Sequence, residues 1–207
     1  RDVSETDLRR IHPDLYRAPD SPVRLTVPPL GYLMIDGAGD PNTAPEYADA
    51  VASLYAVSYG LRFMAKAAGA EPWTVMPLQG LWWADDMARF SVERRGDWLW
   101  TMMIAQPPIV ASDMVADAVA TAVRKRKAPA SDRLRFAVLE EGDSVQVMHH
   151  GPYADEGPTI AGLHAFIADA GLMLRGKHHE VYLSDPRKSA PEKMRTIIRQ
   201  PVAPPPA

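Results

Sequence analysis

Cysteine is absent from all 207 residues. That excludes thiol nucleophiles, disulfides and cysteine-based metal sites, and it is compatible with a reducing compartment. No apolar run is long enough to span a bilayer, and the opening stretch RDVSETDLRRIHPDLY lacks the charged-then-apolar design of a secretory signal. The expectation is a cytoplasmic protein without membrane association. An excess of either charge is missing too: 23 Lys and Arg against 26 Asp and Glu leave a formal charge of -3, which gives no reason to expect a nucleic-acid or strongly acidic partner. Familiar catalytic signatures do not occur. There is no G-x-S-x-G elbow, H-E-x-x-H pair or Walker loop, and Gly37-Ala38-Gly39 lacks the rest of a dinucleotide fingerprint. The histidine pairs His149-His150 and His178-His179 resemble metal ligands. Adjacent strand residues face opposite sides, however, so neither pair chelates one ion, and neither a metal nor a cofactor is expected.

What is present is an ordinary folded composition, 46% apolar and 24% charged, of a length that suits one large domain or two small ones fused. Residues 1–30 are polar and then punctuated by proline, and read as a short helical turn followed by an extended arm. Tyr32 to Ile35 read as a strand. Thr43 and Glu46 have capping-box spacing and open a helix through Ala68 that stops at Gly69. On it, Val51, Leu54, Ser58, Leu61 and Ala65 make one stripe, and Tyr55, Tyr59 and Phe63 make a neighbouring one. Trp73 to Trp83 and Trp98 to Ile104 read as a strand pair across a charged loop. Ser112 is expected to cap a second helix, buried through Val115, Ala118, Val119 and Ala122. Its closing cations Arg124 to Lys127 suit the helix dipole better than a nucleic-acid patch. A strand at Leu134 to Val138, a turn at Glu140 to Asp143 and a strand at Ser144 to His150 follow. Pro158 starts a third helix with Ile160, Leu163, Ile167 and Ala170 on one face and Gly171 at its end. The chain closes on a hairpin and a proline-rich tail.

The order strand, helix, strand, strand therefore occurs twice, and the expected class is α+β. Two such units are expected to form one curved antiparallel sheet with helices on one face and a central ligand cleft. As a single domain, residues 1–207 would divide into an arm (1–30), a first repeat (31–106), a linking helix and strand (107–142), a second repeat (143–202) and a tail (203–207). In the final hairpin, His178, Glu180 and Tyr182 alternate with His179, Val181 and Leu183, which puts a carboxylate between two rings on one side. If that side is solvated, Glu180 is a bland surface residue. If it is a cleft, burial raises its pKa and lets it serve as counter-charge or general base. Trp82 and Trp83 must face opposite sides of their strand, so the sheet face away from the helices also carries aromatics and calls for a cover, a partner or a ligand. Most of the tryptophans and methionines taken singly read as core.

Five stretches together resemble the GyrI-like small-molecule-binding superfamily: DLYRAP at Asp14 to Pro19, YLMIDGAGDPN at Tyr32 to Asn42, LQGLWW at Leu78 to Trp83, HHGPY at His149 to Tyr153, and KHHEVYLSDPRKSAPEKMRTIIRQPV at Lys177 to Val202. The resemblance implies the duplicated fold with a concave pocket. Because the chain has no DNA-binding module, it is similar to the stand-alone members, some of which are cyclopropanoid cyclopropyl hydrolases that detoxify DNA-alkylating natural products by adding water across a strained ring. It implies a catalytic role for Glu180, assisted by Tyr182 or Tyr55. Trp83, Trp100, Tyr59, Met102, Tyr153 and His178 are then the ligand contacts, and the partner is a planar aromatic small molecule bound by a monomer or weak homodimer. The resemblance leans toward an enzyme without deciding between catalysis and binding. A non-catalytic module that sequesters planar, often cationic xenobiotics is one rival, and a domain that modulates a larger protein partner is another.

Overall fold

The computed structural model describes residues 6–71, 73–84 and 96–206. After a short helix α1 (Leu8–Ile11) the elements run β1 (Val23–Val27), β2 (Leu30–Ala38), α2 (Pro45–Ala67), β3 (Leu78–Trp83), β4 (Leu99–Ala105), α3 (Ser112–Arg124), β5 (Arg135–Leu139), β6 (Gly142–His150), α4 (Gly157–Asp169), β7 (Met173–Leu174), β8 (His178–Tyr182) and β9 (Arg195–Ala203). The class is α+β, with β2-α2-β3-β4 and β6-α4-β8-β9 as the two repeats. The chain divides into two compact units, one made of the segment up to Ile11 plus Leu30–Leu139, the other of His12–Pro29 plus the chain from Glu140 on.

The first unit pairs its strands in the order β5-β2-β4-β3, and the second in the order β1-β6-β9-β8, all antiparallel. Each unit thus takes its outer strand from the segment that precedes the other repeat in sequence. The cause lies in the tight turns between β1 and β2 and between β5 and β6: each turn carries the chain from the edge of one unit into the first strand of the next repeat.

In the first unit, consecutive residues of β2 (Tyr32 to Ile35) and of β4 (Trp100 to Ile104) are all buried, so both faces of this sheet are covered. The helix α2 contributes Leu54, Val57 and Leu61 to its core. The second tyrosine stripe of α2 faces outward instead: Tyr59 is 47% and Phe63 60% exposed. Gly37 lies opposite Trp100 in the register, and a Cβ there would stand 2.1 Å from the indole Cη2, so the glycine is required by the ring that lies across it.

In the second unit, α4 packs Leu163 and Ile167 on Val145, Val147, Ile198 and Val202. Pro158 falls in the first turn of α4, and Gly171 follows its end at φ +69°, where a side chain would be strained.

Three local expectations differ from what is observed. The residue preceding α2 is Ala44, with Pro45 in the first turn and no side-chain cap, so Thr43 and Glu46 do not form a capping box. Ser112 is likewise inside α3, after Ala111, and caps nothing. Pro45 explains the first case, because its fixed φ starts the helix one residue later than the threonine would. Residues 73–77 are not in a strand, and β3 begins at Leu78. Most of the charged loop expected before β4 lies outside the described residues.

Candidate functional site

Strand β8 puts His178, Glu180 and Tyr182 on one face, and their side chains meet. His178 Nε2 donates to Glu180 Oε1 at 2.9 Å, and the Tyr182 hydroxyl donates to Glu180 Oε2 at 2.7 Å. The Glu180 side chain is 12% exposed. Burial by itself works to raise its pKa, but hydrogen bonds from His178 and Tyr182, together with the attraction of His178, hold the carboxyl below the usual range, so it is ionised at neutral pH. The ring of Tyr153 meets Tyr182 edge to face at 5.6 Å. The alternate face of the same strand is separate chemistry: His179 Nδ1 lies 2.8 Å from Glu141 Oε1, and Arg199 stands behind the same carboxylate with Nη1 3.7 Å from Oε2. Glu141, expected in an ordinary turn, is therefore buried. Burial would raise its pKa, and His179, Arg199 and Arg175 bring it below normal.

A second carboxyl group completes the site. Glu156 precedes α4, is 6% exposed, and faces Glu180 through a shared hydrogen bond between the two acids. Its pKa is pushed up to about 10, first by burial and then by the negative charge of Glu180. A carboxylate at a helix N-terminus is ordinarily favoured in its ionised form by the dipole; here desolvation and the like charge outweigh that. The Thr196 hydroxyl, across from Tyr182 on β9, works against the shift but has no well-formed hydrogen bond of its own. His164 on α4 is shifted downward by burial and by His178, and its Nε2 is buried without a partner.

The pair is thus one neutral acid and one carboxylate, the stable arrangement for two buried carboxyl groups in contact. A carboxylate offers about four acceptor positions. Three of those on Glu180 are taken by His178, Tyr182 and Glu156, which leaves one lone pair for a water or a ligand proton.

The structure gathers Glu180, Tyr182, His178 and Tyr153 in the second unit. The other residues singled out from the sequence belong to the first. Tyr55 is half-buried and stacks on Tyr59, with ring centres 6.4 Å apart. Trp83 is half-buried. Trp100 and Met102 have no exposed surface, and the Trp100 ring meets Tyr47 edge to face at 5.4 Å. Glu156 lies beyond the HHGPY stretch, and the one signal for it in the sequence is a carboxylate just ahead of a proline-started helix. Among the described residues, no group of three or more His, Asp or Glu side chains is placed to hold a metal ion. No helix there is long and apolar enough to cross a membrane.

A duplicated α+β fold with a buried, ionised acid among aromatic rings describes a small-molecule-binding domain. The chain belongs to the GyrI-like family, whose small-molecule-binding domain model matches residues 22–203. It is similar to a Listeria innocua protein described as a hydrolase, at 38% identity over 96% of this chain and 100% of that one, with a TM-score of 0.84. The crystal structure of an uncharacterized conserved protein from the same organism matches at the same identity and coverage, with a TM-score of 0.89. The C-terminal domain of EcmrR, 13% identical over 89% of this chain and 98% of that one, shares the fold at a TM-score of 0.56. No match is found among curated proteins.

Proposed function

We propose that this protein hydrolyses strained, activated small molecules, specifically the cyclopropane of DNA-alkylating cyclopropanoids, by adding water across the ring. The observation that carries this reading is the Glu180 carboxylate, held ionised in a nearly buried position by His178 and Tyr182 with one lone pair left over. A water that donates to that lone pair turns the lone pairs of its own oxygen away from the carboxylate and toward whatever electrophile occupies the site. A cyclopropane conjugated to a dienone already holds the strain energy, so the chain needs only to place the water and stabilise the charge that develops as the ring opens. The edge-to-face rings of Tyr153 and Tyr182 offer an aromatic surface for a flat substrate. The 38%-identical Listeria protein described as a hydrolase supports the choice of reaction type.

The test is incubation with a panel of cyclopropane-bearing alkylators, read by mass for the gain of one water. Glu180→Gln keeps the shape of the site and removes the negative charge; it is expected to bind the same compounds and lose most turnover. Unchanged hydrolysis by that variant removes Glu180 from the reaction and refutes the proposal.

One observation favours a second reading, in which the domain binds planar cations without chemistry. An ionised, desolvated carboxylate beside aromatic rings is also the arrangement that attracts a flat cation. On this reading, quenching of tryptophan fluorescence by planar cations weakens as acid protonates Glu180, and no compound in the panel gains water.

A further inference from the structure

Two buried carboxyl groups in contact cannot both be ionised without a large desolvation and repulsion cost, so the pair shares one proton. The two well-formed donors, the His178 ring and the Tyr182 hydroxyl, attach to Glu180, whereas Glu156 has only the approach of the Thr196 hydroxyl, so the proton resides on Glu156. Glu156 Oε1 is buried and has no hydrogen-bond partner. Two further polar atoms are in the same condition: Thr196 Oγ1, close to Glu156, and His164 Nε2, close to His178. Interiors pair nearly all such atoms. Buried atoms without partners on the acid pair and beside its neighbours mark a place built for polar groups that a substrate or water brings.

We infer that Glu156 is the acid of the reaction proposed above, so that the site works as a carboxyl pair with one base and one proton donor. The inference rests on the hydrolytic reading of the same site. As the water oxygen bonds to the ring carbon, the ring C–C bond breaks, and its electron pair moves through the conjugated system onto the carbonyl oxygen. Glu180 takes the proton that the water loses. Once protonated, Glu180 no longer holds the Glu156 hydrogen, and Glu156 gives that proton to the new oxyanion, leaving a hydroxyl product with the mass of substrate plus one water. The proton on Glu180 then passes to Glu156 through their shared hydrogen bond, which restores the starting state without exchange with solvent.

The experiment uses Glu156→Gln, whose amide matches the acid in size and can still donate to Glu180 but has no proton to transfer. With a cyclopropane conjugated to a dienone, the variant is expected to bind as the wild type does, to lose turnover by about a hundredfold or more, and to lose the fall in rate at alkaline pH that ionisation of the acid causes in the wild type. Infrared difference spectra of wild type against variant at neutral pH should show loss of a protonated carboxyl band; loss of an ionised carboxylate band instead overturns the inference. If the wild type adds water to the substrate and Glu156→Gln does so at the same rate, the acid role fails while the hydrolytic reading stands. If the wild type adds water to nothing in the panel, the hydrolytic reading fails and takes the acid role with it.

Discussion

Replacing Glu156 by Gln is expected to stabilise the folded protein at neutral pH, by an amount that grows with pH. The native state holds Glu156 neutral, with its pKa pushed from the ordinary 4.5 to about 10. Above 4.5 the unfolded chain releases this proton and the folded chain keeps it, so the folded state binds more protons and stability falls as pH rises. The contribution is complete below 4.5, declines by about 1.4 kcal/mol per pH unit, and stops declining only near 10, where the folded protein also ionises. At about pH 7.5, three units above the ordinary value, the wild type has lost about 4 kcal/mol in this way. A glutamine has no proton to take up. Its amide replaces the acid hydrogen bond at a cost of about 1 kcal/mol, so the variant should be the more stable protein at that pH by about 3 kcal/mol. Apart from the amide hydrogen bond, this magnitude depends only on the ordinary pKa and on Glu156 remaining protonated when folded. Urea unfolding followed by tryptophan fluorescence, run on both proteins at several pH values between about 5 and 9, reads it directly. Titrating groups away from the pair are common to the two proteins and cancel in the difference, and Glu180 stays ionised in both across this range. Two curves that stay parallel across the range would mean Glu156 is ionised in the native protein, and the account of the acid pair would be wrong. A variant that gains stability while losing turnover is what a site that trades stability for chemistry should give.

Other perturbations test separate parts of the structure. Gly37→Ala places a methyl group 2.1 Å from a fully buried indole; overpacking of this kind costs about 1–3 kcal/mol, and because the ring has no exposed side to retreat to, the upper end is expected in thermal or urea unfolding. Arg199→Met leaves the buried Glu141 with His179 and Arg175 alone and frees the Gln146 and Leu15 oxygens that Arg199 holds. A loss of about 3–5 kcal/mol is expected, and a variant as stable as the wild type would show that the cluster does not hold the second unit together. Tyr182→Phe removes the donor on Glu180 Oε2, so the Glu180 pKa should rise and turnover should fall about 10- to 100-fold, as for the loss of one hydrogen bond to a charged group. An unshifted acid limb in the pH profile of that variant would speak against the tyrosine as a partner.

The parts of the fold that were legible in the sequence are the local ones. Amphipathic spacing located α2, α3 and α4 because a helix repeats its face every three to four residues whatever surrounds it. Helix starts were read less well: Thr43 and Ser112 have the right chemistry for caps, yet capping depends on which residue leaves the helical φ and ψ region, and Pro45 and the extended Ala111 settle that differently. The outward direction of Tyr59 and Phe63 was also beyond the pattern, since α2 is apolar over an arc wider than the face it buries.

In the site the division is sharper. Strand alternation alone sets His178, Glu180 and Tyr182 on one side of β8 and His179 on the other, because successive side chains of an extended backbone point oppositely. Three facts needed the folded chain: that Glu156, 24 positions upstream, meets Glu180; that Glu141, 38 positions from His179, is a buried partner and not a turn residue; and that one acid of the pair is neutral and the other ionised. A pKa is a property of everything that surrounds a group, including the water it has lost. Composition and periodicity describe neighbours along the backbone, and it was neighbours through space that decided which carboxyl holds the proton.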